Sequence, residues 1–96
     1  MSLRLTRLAL TDIDDILTYL QQESPQGAAS VERAFSRTFE RLASFPKSGR
    51  EFDPTDGTRR AVVRGYPFII VYWIRGETVE VLRVRHTARD PDTIDY

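Results

Sequence analysis

One histidine and a set of arginines are the residues of this chain best equipped for chemistry. His86 stands in the stretch EVLRVRHTARDP, residues 80 to 91, with Arg83, Arg85 and Arg89 around it. Arg59 and Arg60 form a second basic pair. A guanidinium fork binds two oxygens of a phosphate or carboxylate at once. An imidazole can move a proton near neutral pH. These residues therefore read as a catalytic cluster, as a binding patch, or as a strand that ends in polar side chains. For His86 the structural reading is favoured, with its neighbours near the Arg89–Asp90 turn satisfying it. Arg50 and Arg89 would anchor loops by pairing with carboxylates.

Other chemistries are poorly supplied. The chain has no cysteine, which excludes disulfides, thiol catalysis and thiolate metal sites. One histidine cannot build a typical zinc site alone. Asp12, Asp14 and Asp15 cluster, but at the start of a helical pattern, where carboxylates suit the positive end of the helix dipole. No metal and no cofactor is expected. Net charge is zero, so no global field draws the chain to nucleic acid or to a membrane. The charge is uneven, however: residues 59 to 90 hold seven Arg and three acids. No apolar run approaches the roughly 20 residues of a membrane span. The start MSLRLTRLAL is too short and polar for a signal peptide. A cytoplasmic location is expected.

The elements that must position these residues follow from periodicity. At 96 residues the chain is read as one domain, 1 to 96, and its 41% hydrophobic content argues against disorder. LRLT, residues 3 to 6, alternates as a short strand. In TDIDDILTYLQQE, Leu10, Ile13, Ile16, Leu17 and Leu20 make one apolar stripe, and Thr11 with Asp14 has the capping-box form. Ser24 and Pro25 open a second helix that Pro46 ends. Its stripe runs through Val31, Phe35, Thr38, Leu42 and Phe45, widened by Ala34 and Phe39. Arg33, Arg37 and Arg41 line one flank at four-residue spacing. KSGREFDPTDG reads as a loop. RRAVVR, YPFIIVYWI and TVEVLRVRH read as an antiparallel meander punctuated by Gly65 and Gly76, with Pro91 stopping the last strand. The expected class is α+β, order β-α-α-β-β-β, an antiparallel sheet with an N-terminal helical hairpin on one face. Strict alternation in the last strand would set Glu80, Leu82, Val84 and His86 against Val79, Val81, Arg83 and Arg85. Arginines of facing strands would then form a cationic surface opposite the helices.

In this order the residues resemble the RelE/ParE superfamily of toxins from type II toxin–antitoxin systems, the ParE branch most closely. The resemblance runs nearly end to end. It rests on Ala9, Asp12, Ile13 and Ile16 with Tyr19-Leu20, on SPQGAA, on FPKSGRE, on TRRAVVRGYPFIIVYWI and on VEVLRVRHTARDP. It implies a cognate antitoxin, ParD-like or another small DNA-binding protein, whose arm covers the helices and a sheet edge. Leu10, Ile13, Leu17, Tyr19, Leu20, Phe35 and Phe39 are the candidates to meet it. It also implies a toxic target. Members of the RelE type cleave messenger RNA on the ribosome; those of the ParE type poison DNA gyrase. Candidates for the toxicity surface are Arg59, Arg60, Arg83, Arg85 and His86, with His86 the candidate catalytic acid if the protein is a nuclease. Replacing Arg59, Arg60 or Arg83 by Gln is expected to leave folding nearly unchanged. The chain departs from the nuclease pattern. Ile69 stands three residues before Tyr72, where nucleases commonly carry arginine. Thr87 follows His86, Lys47 is the one lysine, and Tyr96 is the sole later tyrosine. These departures favour gyrase as target, or a homologue that only binds its antitoxin, over the ribosome-dependent endoribonuclease.

Overall fold

Thr6, not Thr11, starts the first helix. Its hydroxyl accepts a hydrogen bond from the Ala9 N–H at 3.1 Å and donates to the Leu82 carbonyl at 3.0 Å. One side chain thus caps the helix and pins it to the last strand. The expected Thr11 cap is corrected, and Asp12, Asp14 and Asp15 lie beyond the first turn. The computed structural model describes residues 1–89, so Pro91 and Tyr96 lie outside the described residues, as does the Arg89 side chain. The elements are β1 (Ser2–Leu5), α1 (Arg7–Glu23), α2 (Pro25–Ser44), β2 (Arg50–Asp53), β3 (Thr58–Val62), β4 (Phe68–Arg75) and β5 (Thr78–His86), then one 3-10 turn, Thr87–Arg89.

Ser24 ends α1 and begins α2. Its N–H donates to the Leu20 carbonyl at 2.7 Å and its hydroxyl accepts from Gly27 at 3.1 Å, with Pro25 in the first turn, where a missing N–H costs nothing. A single joining residue forces the two helices into a hairpin. Their apolar stripes cover one face of a five-stranded sheet of order β1-β5-β4-β3-β2. The core joins Phe35 and Leu42 of α2 to Ile70 and Tyr72 of the central strand and Val79 and Val81 of β5.

The sheet differs from expectation in three ways. It is mixed, because β1 pairs parallel with β5, from Ser2 opposite Thr78 to Leu5 opposite Val81. The helical hairpin carries the chain across the sheet to β2, and the meander from β2 to β4 brings it back to β5, the parallel neighbour of β1. Residues 50 to 53, read as loop, form the edge strand β2 against β3. The turn chemistry is confined to the next residues: Asp53 accepts from Thr55 N–H at 2.9 Å, Asp56 from Thr58 N–H at 2.9 Å, and Gly57 takes φ +75°. Third, a bulge interrupts the β4–β5 ladder. Tyr72 faces Val81 but Val71 faces Arg83, leaving Leu82 as the extra residue. The buried set of β5 is therefore Val79, Val81 and Val84, not one strictly alternating row. Val84 and His86 fall in register with the core residues Ile70 and Phe68, while Arg83 and Arg85 stand opposite Val71 and Ile69.

Candidate functional site

The bulge sets the environment of His86. Its ring meets Phe68 edge-on, with centroids 5.4 Å apart. Its Nδ1 accepts the Ala88 N–H at 3.1 Å, so this nitrogen presents a lone pair to the turn that follows β5. The imidazole thereby holds the strand end, as the structural reading of His86 expects.

Arg83 is also held. β1 stops opposite Val81, so β5 continues with an unpaired edge. Asp12 of α1 covers it. One carboxylate oxygen accepts the Val84 N–H at 2.9 Å and Arg83 Nε at 2.8 Å; the other accepts Arg83 Nη2 at 3.0 Å. The pair is partly shielded, and the fork to Asp12 raises the Arg83 pKa further above its ordinary value, against some desolvation. Arg59 lies opposite Tyr72, and its Nη1 donates to the Gly49 carbonyl at 2.9 Å, with Glu51 at 3.7 Å. Arg60 stacks on Phe52, its guanidinium carbon 4.2 Å from the ring centroid. Arg85 is half-buried opposite Ile69. Arg60 and Arg83 stand in one row across the sheet, both in register with Val71, and Arg85 stands opposite Ile69, so these three share the face away from the helices. Arg59, opposite buried Tyr72, lies on the helix side and serves a loop.

Tyr72 explains the FPKSGRE motif. Its buried hydroxyl donates to the Pro46 carbonyl at 2.7 Å and accepts the Gly49 N–H at 2.9 Å. A methyl at position 49 would stand 2.6 Å from ring carbon Cε1, so only glycine fits. Burial pushes the phenol pKa up, partly offset by the Gly49 hydrogen bond and the charges of Arg59 and Arg41.

A second cationic cluster lies on the α2 side. Arg37, Arg41, Arg64 and Tyr66 line a cleft of about 440 Å³ over Ala34 and Thr38. The four-residue spacing of Arg37 and Arg41 is visible in the sequence. Arg64 and Tyr66 join them only through the fold, because Gly65 at φ +85° turns the chain back and Tyr66 N–H donates to the Val63 carbonyl at 3.1 Å. Desolvation first, and the nearby charge of Arg64 second, lower the Arg41 pKa from its ordinary value.

The residues expected to meet an antitoxin divide by exposure. Leu10 and Tyr19 are 52% and 61% exposed. Ile13, Leu17, Leu20 and Phe39 are half-buried against the core. Phe35 is 2% exposed and is a core residue, packed edge-on against Phe68, so it has no surface to offer a partner. Exposed Leu8 lies about three turns before Tyr19 on the same side of α1 and extends that flank, while Leu10, two residues after Leu8, projects from the opposite side of the helix. Among the described residues, no group of three or more His, Asp or Glu side chains could hold a metal, and no helix is long and apolar enough to cross a membrane.

Helical hairpin, mixed sheet and arginine-rich strand end together define the class of small toxins with the RelE/ParE fold. A ParDE toxin–antitoxin system from P. aeruginosa includes a chain that superposes with a TM-score of 0.74 at 25% identity, covering 90% of this chain and 95% of that one. Toxin ParE1 of Caulobacter vibrioides is 33% identical over 86 residues, 88% of each chain. Toxin RelE2 of the same organism is 32% identical over 81 residues, 84% of this chain and 89% of its own. The family described as the ParE toxin of the type II toxin-antitoxin system, parDE, matches residues 3–91. The chain belongs to that family.

Proposed function

We propose that this ParE-family toxin acts by binding DNA gyrase, without RNA chemistry of its own, and that a cognate antitoxin neutralises it. The antitoxin would be ParD-like or another small DNA-binding protein, lying along α1, where Leu8 and Tyr19 expose an apolar flank on one side and Leu10 on the other. One observation carries the choice of target. Two arginines that a nuclease would aim at a scissile phosphate are engaged in holding the fold, the Arg83 fork by Asp12 and Arg59 by the Gly49 carbonyl, and His86 ties one of its two ring nitrogens to Ala88. General acid–base cleavage needs a positioned proton donor and acceptor free to reach the substrate. Ile69 supports the same reading, since it occupies the central-strand place where the nuclease branch carries arginine and is buried there.

The runner-up is ribosome-dependent messenger RNA cleavage, which the similarity to toxin RelE2 favours. Induced expression with and without the adjacent-gene partner tests the two. Plasmid supercoiling and transcript integrity are followed in the same cells. Growth arrest with relaxed plasmid and intact transcripts is expected, relieved by the partner. Cleaved transcripts with normal supercoiling would install the runner-up, and no arrest at all would mark a homologue that only binds its antitoxin.

A further inference from the structure

The α2 cleft has a use that the toxin's target does not explain. Its floor is buried Ala34 and Thr38, and the Thr38 hydroxyl is already spent on the Ala34 carbonyl at 2.8 Å. Half-buried Arg41 and Tyr66 form the walls, and exposed Arg37 and Arg64 form the rim. Arg41 is oriented in advance, its Nη2 donating to the Val62 carbonyl at 3.0 Å. Among the described residues no carboxylate lies within salt-bridge distance of Arg37, Arg41 or Arg64. Three cations therefore converge from two elements on a concave site, with no counter-ion among the described residues. Like charges gathered this way are disfavoured until an anion joins them.

We infer that this cleft is a docking site for a carboxylate-bearing side chain of an acidic peptide segment. The volume of about 440 Å³ is that of a pocket for a few side chains, not an extended track. The Tyr66 ring and Ala34 offer an apolar surface to the stem of the incoming residue, while the guanidinium forks take both carboxylate oxygens. Nucleic acid would need cations spread along a phosphate backbone. Here three cations line the cleft, exposed Glu32 and Glu40 stand on the same helix as Arg37 and Arg41, and the whole chain carries no net charge. The inference holds whichever target the toxin acts on.

The test uses the full chain and a short fluorescein-labelled peptide of alternating glutamate and leucine. A matched glutamine–leucine peptide and a single-stranded DNA oligonucleotide are the comparison probes. Fluorescence anisotropy should show binding of the glutamate peptide alone. The pair Arg37→Gln and Arg64→Gln should weaken it by about tenfold for each arginine removed, the size of a charged hydrogen bond. Arg75→Gln, remote on β4, should leave it unchanged. Arg64→Gln alone, on an exposed turn, carries the test if the double variant melts early. Equal binding of the glutamine peptide, tighter binding of the oligonucleotide, or undiminished binding by a folded Arg64→Gln protein would each overturn the assignment.

Discussion

Two polar contacts, one partly shielded and one at a buried tyrosine, tie distant parts of the chain together. Asp12 and Arg83 are far apart in sequence, yet Asp12 closes the edge of β5 where β1 ends. Arg83→Gln is expected to lower stability by about 1–2 kcal/mol, discounted because the pair is partly exposed. Asp12→Ala should cost more, about 2–3 kcal/mol, since it strands both the guanidinium and the Val84 N–H. Chemical denaturation of the two variants checks the order, and a neutral Arg83→Gln would return that residue to the surface. Tyr72 gives the pH signature. Its folded pKa is raised above the ordinary 10.0. The neutral phenol is thus favoured in the fold, and its contribution is intact below pH 10 and lost as pH rises through the folded value. Tyr72→Phe should cost about 1–3 kcal/mol at pH 7, by leaving Pro46 and Gly49 unpaired, and should show a shallower alkaline loss than the parent. Equal alkaline slopes in the two proteins would contradict this.

At the scale of elements, the sequence was most legible where one period dominated. Ser24-Pro25 marked the start of α2, and Thr78–His86 emerged as β5 at its observed limits, because capping chemistry and strand alternation are local. The misreadings came from contacts between elements. Thr11 looked like a cap, but Thr6 also reaches the Leu82 carbonyl, and that tertiary bond draws the helix start back. REFD lacks an alternating pattern and became a strand only by pairing with β3. The Leu82 bulge exchanged the faces of the second half of β5, which no period of two can reveal. The same bulge sets Arg83 and Arg85 on the face that carries Arg60, in register with Val71 and Ile69. Gly49 belongs here too. Gly49→Ala should destabilise by about 2–4 kcal/mol, because the added methyl forces either the Tyr72 ring or the loop to move. Thermal unfolding measures this, and a melting temperature unchanged from the parent would mean that the loop does not need its contact with Tyr72.

For the whole molecule, neutralisation and toxicity place separate demands on the surface. A partner that binds only the folded toxin stabilises it by about 2.7 kcal/mol at a hundredfold excess over Kd. The adjacent-gene product should therefore raise the melting temperature, and Leu10→Ser with Tyr19→Ser should reduce that rise without lowering the stability of the free toxin, because both side chains are exposed. His86→Gln keeps one donor and one acceptor, so a folded variant should remain toxic if no proton is transferred to RNA. The central claim is that the toxin binds gyrase and performs no RNA cleavage. Its most direct test is purified gyrase supercoiling relaxed plasmid in the presence of the toxin, beside a ribosome-bound messenger RNA in a parallel reaction. Loss of supercoiling with intact messenger RNA, reversed by the antitoxin, is the predicted result. Undisturbed supercoiling beside a cut messenger RNA that His86→Gln protects would contradict it.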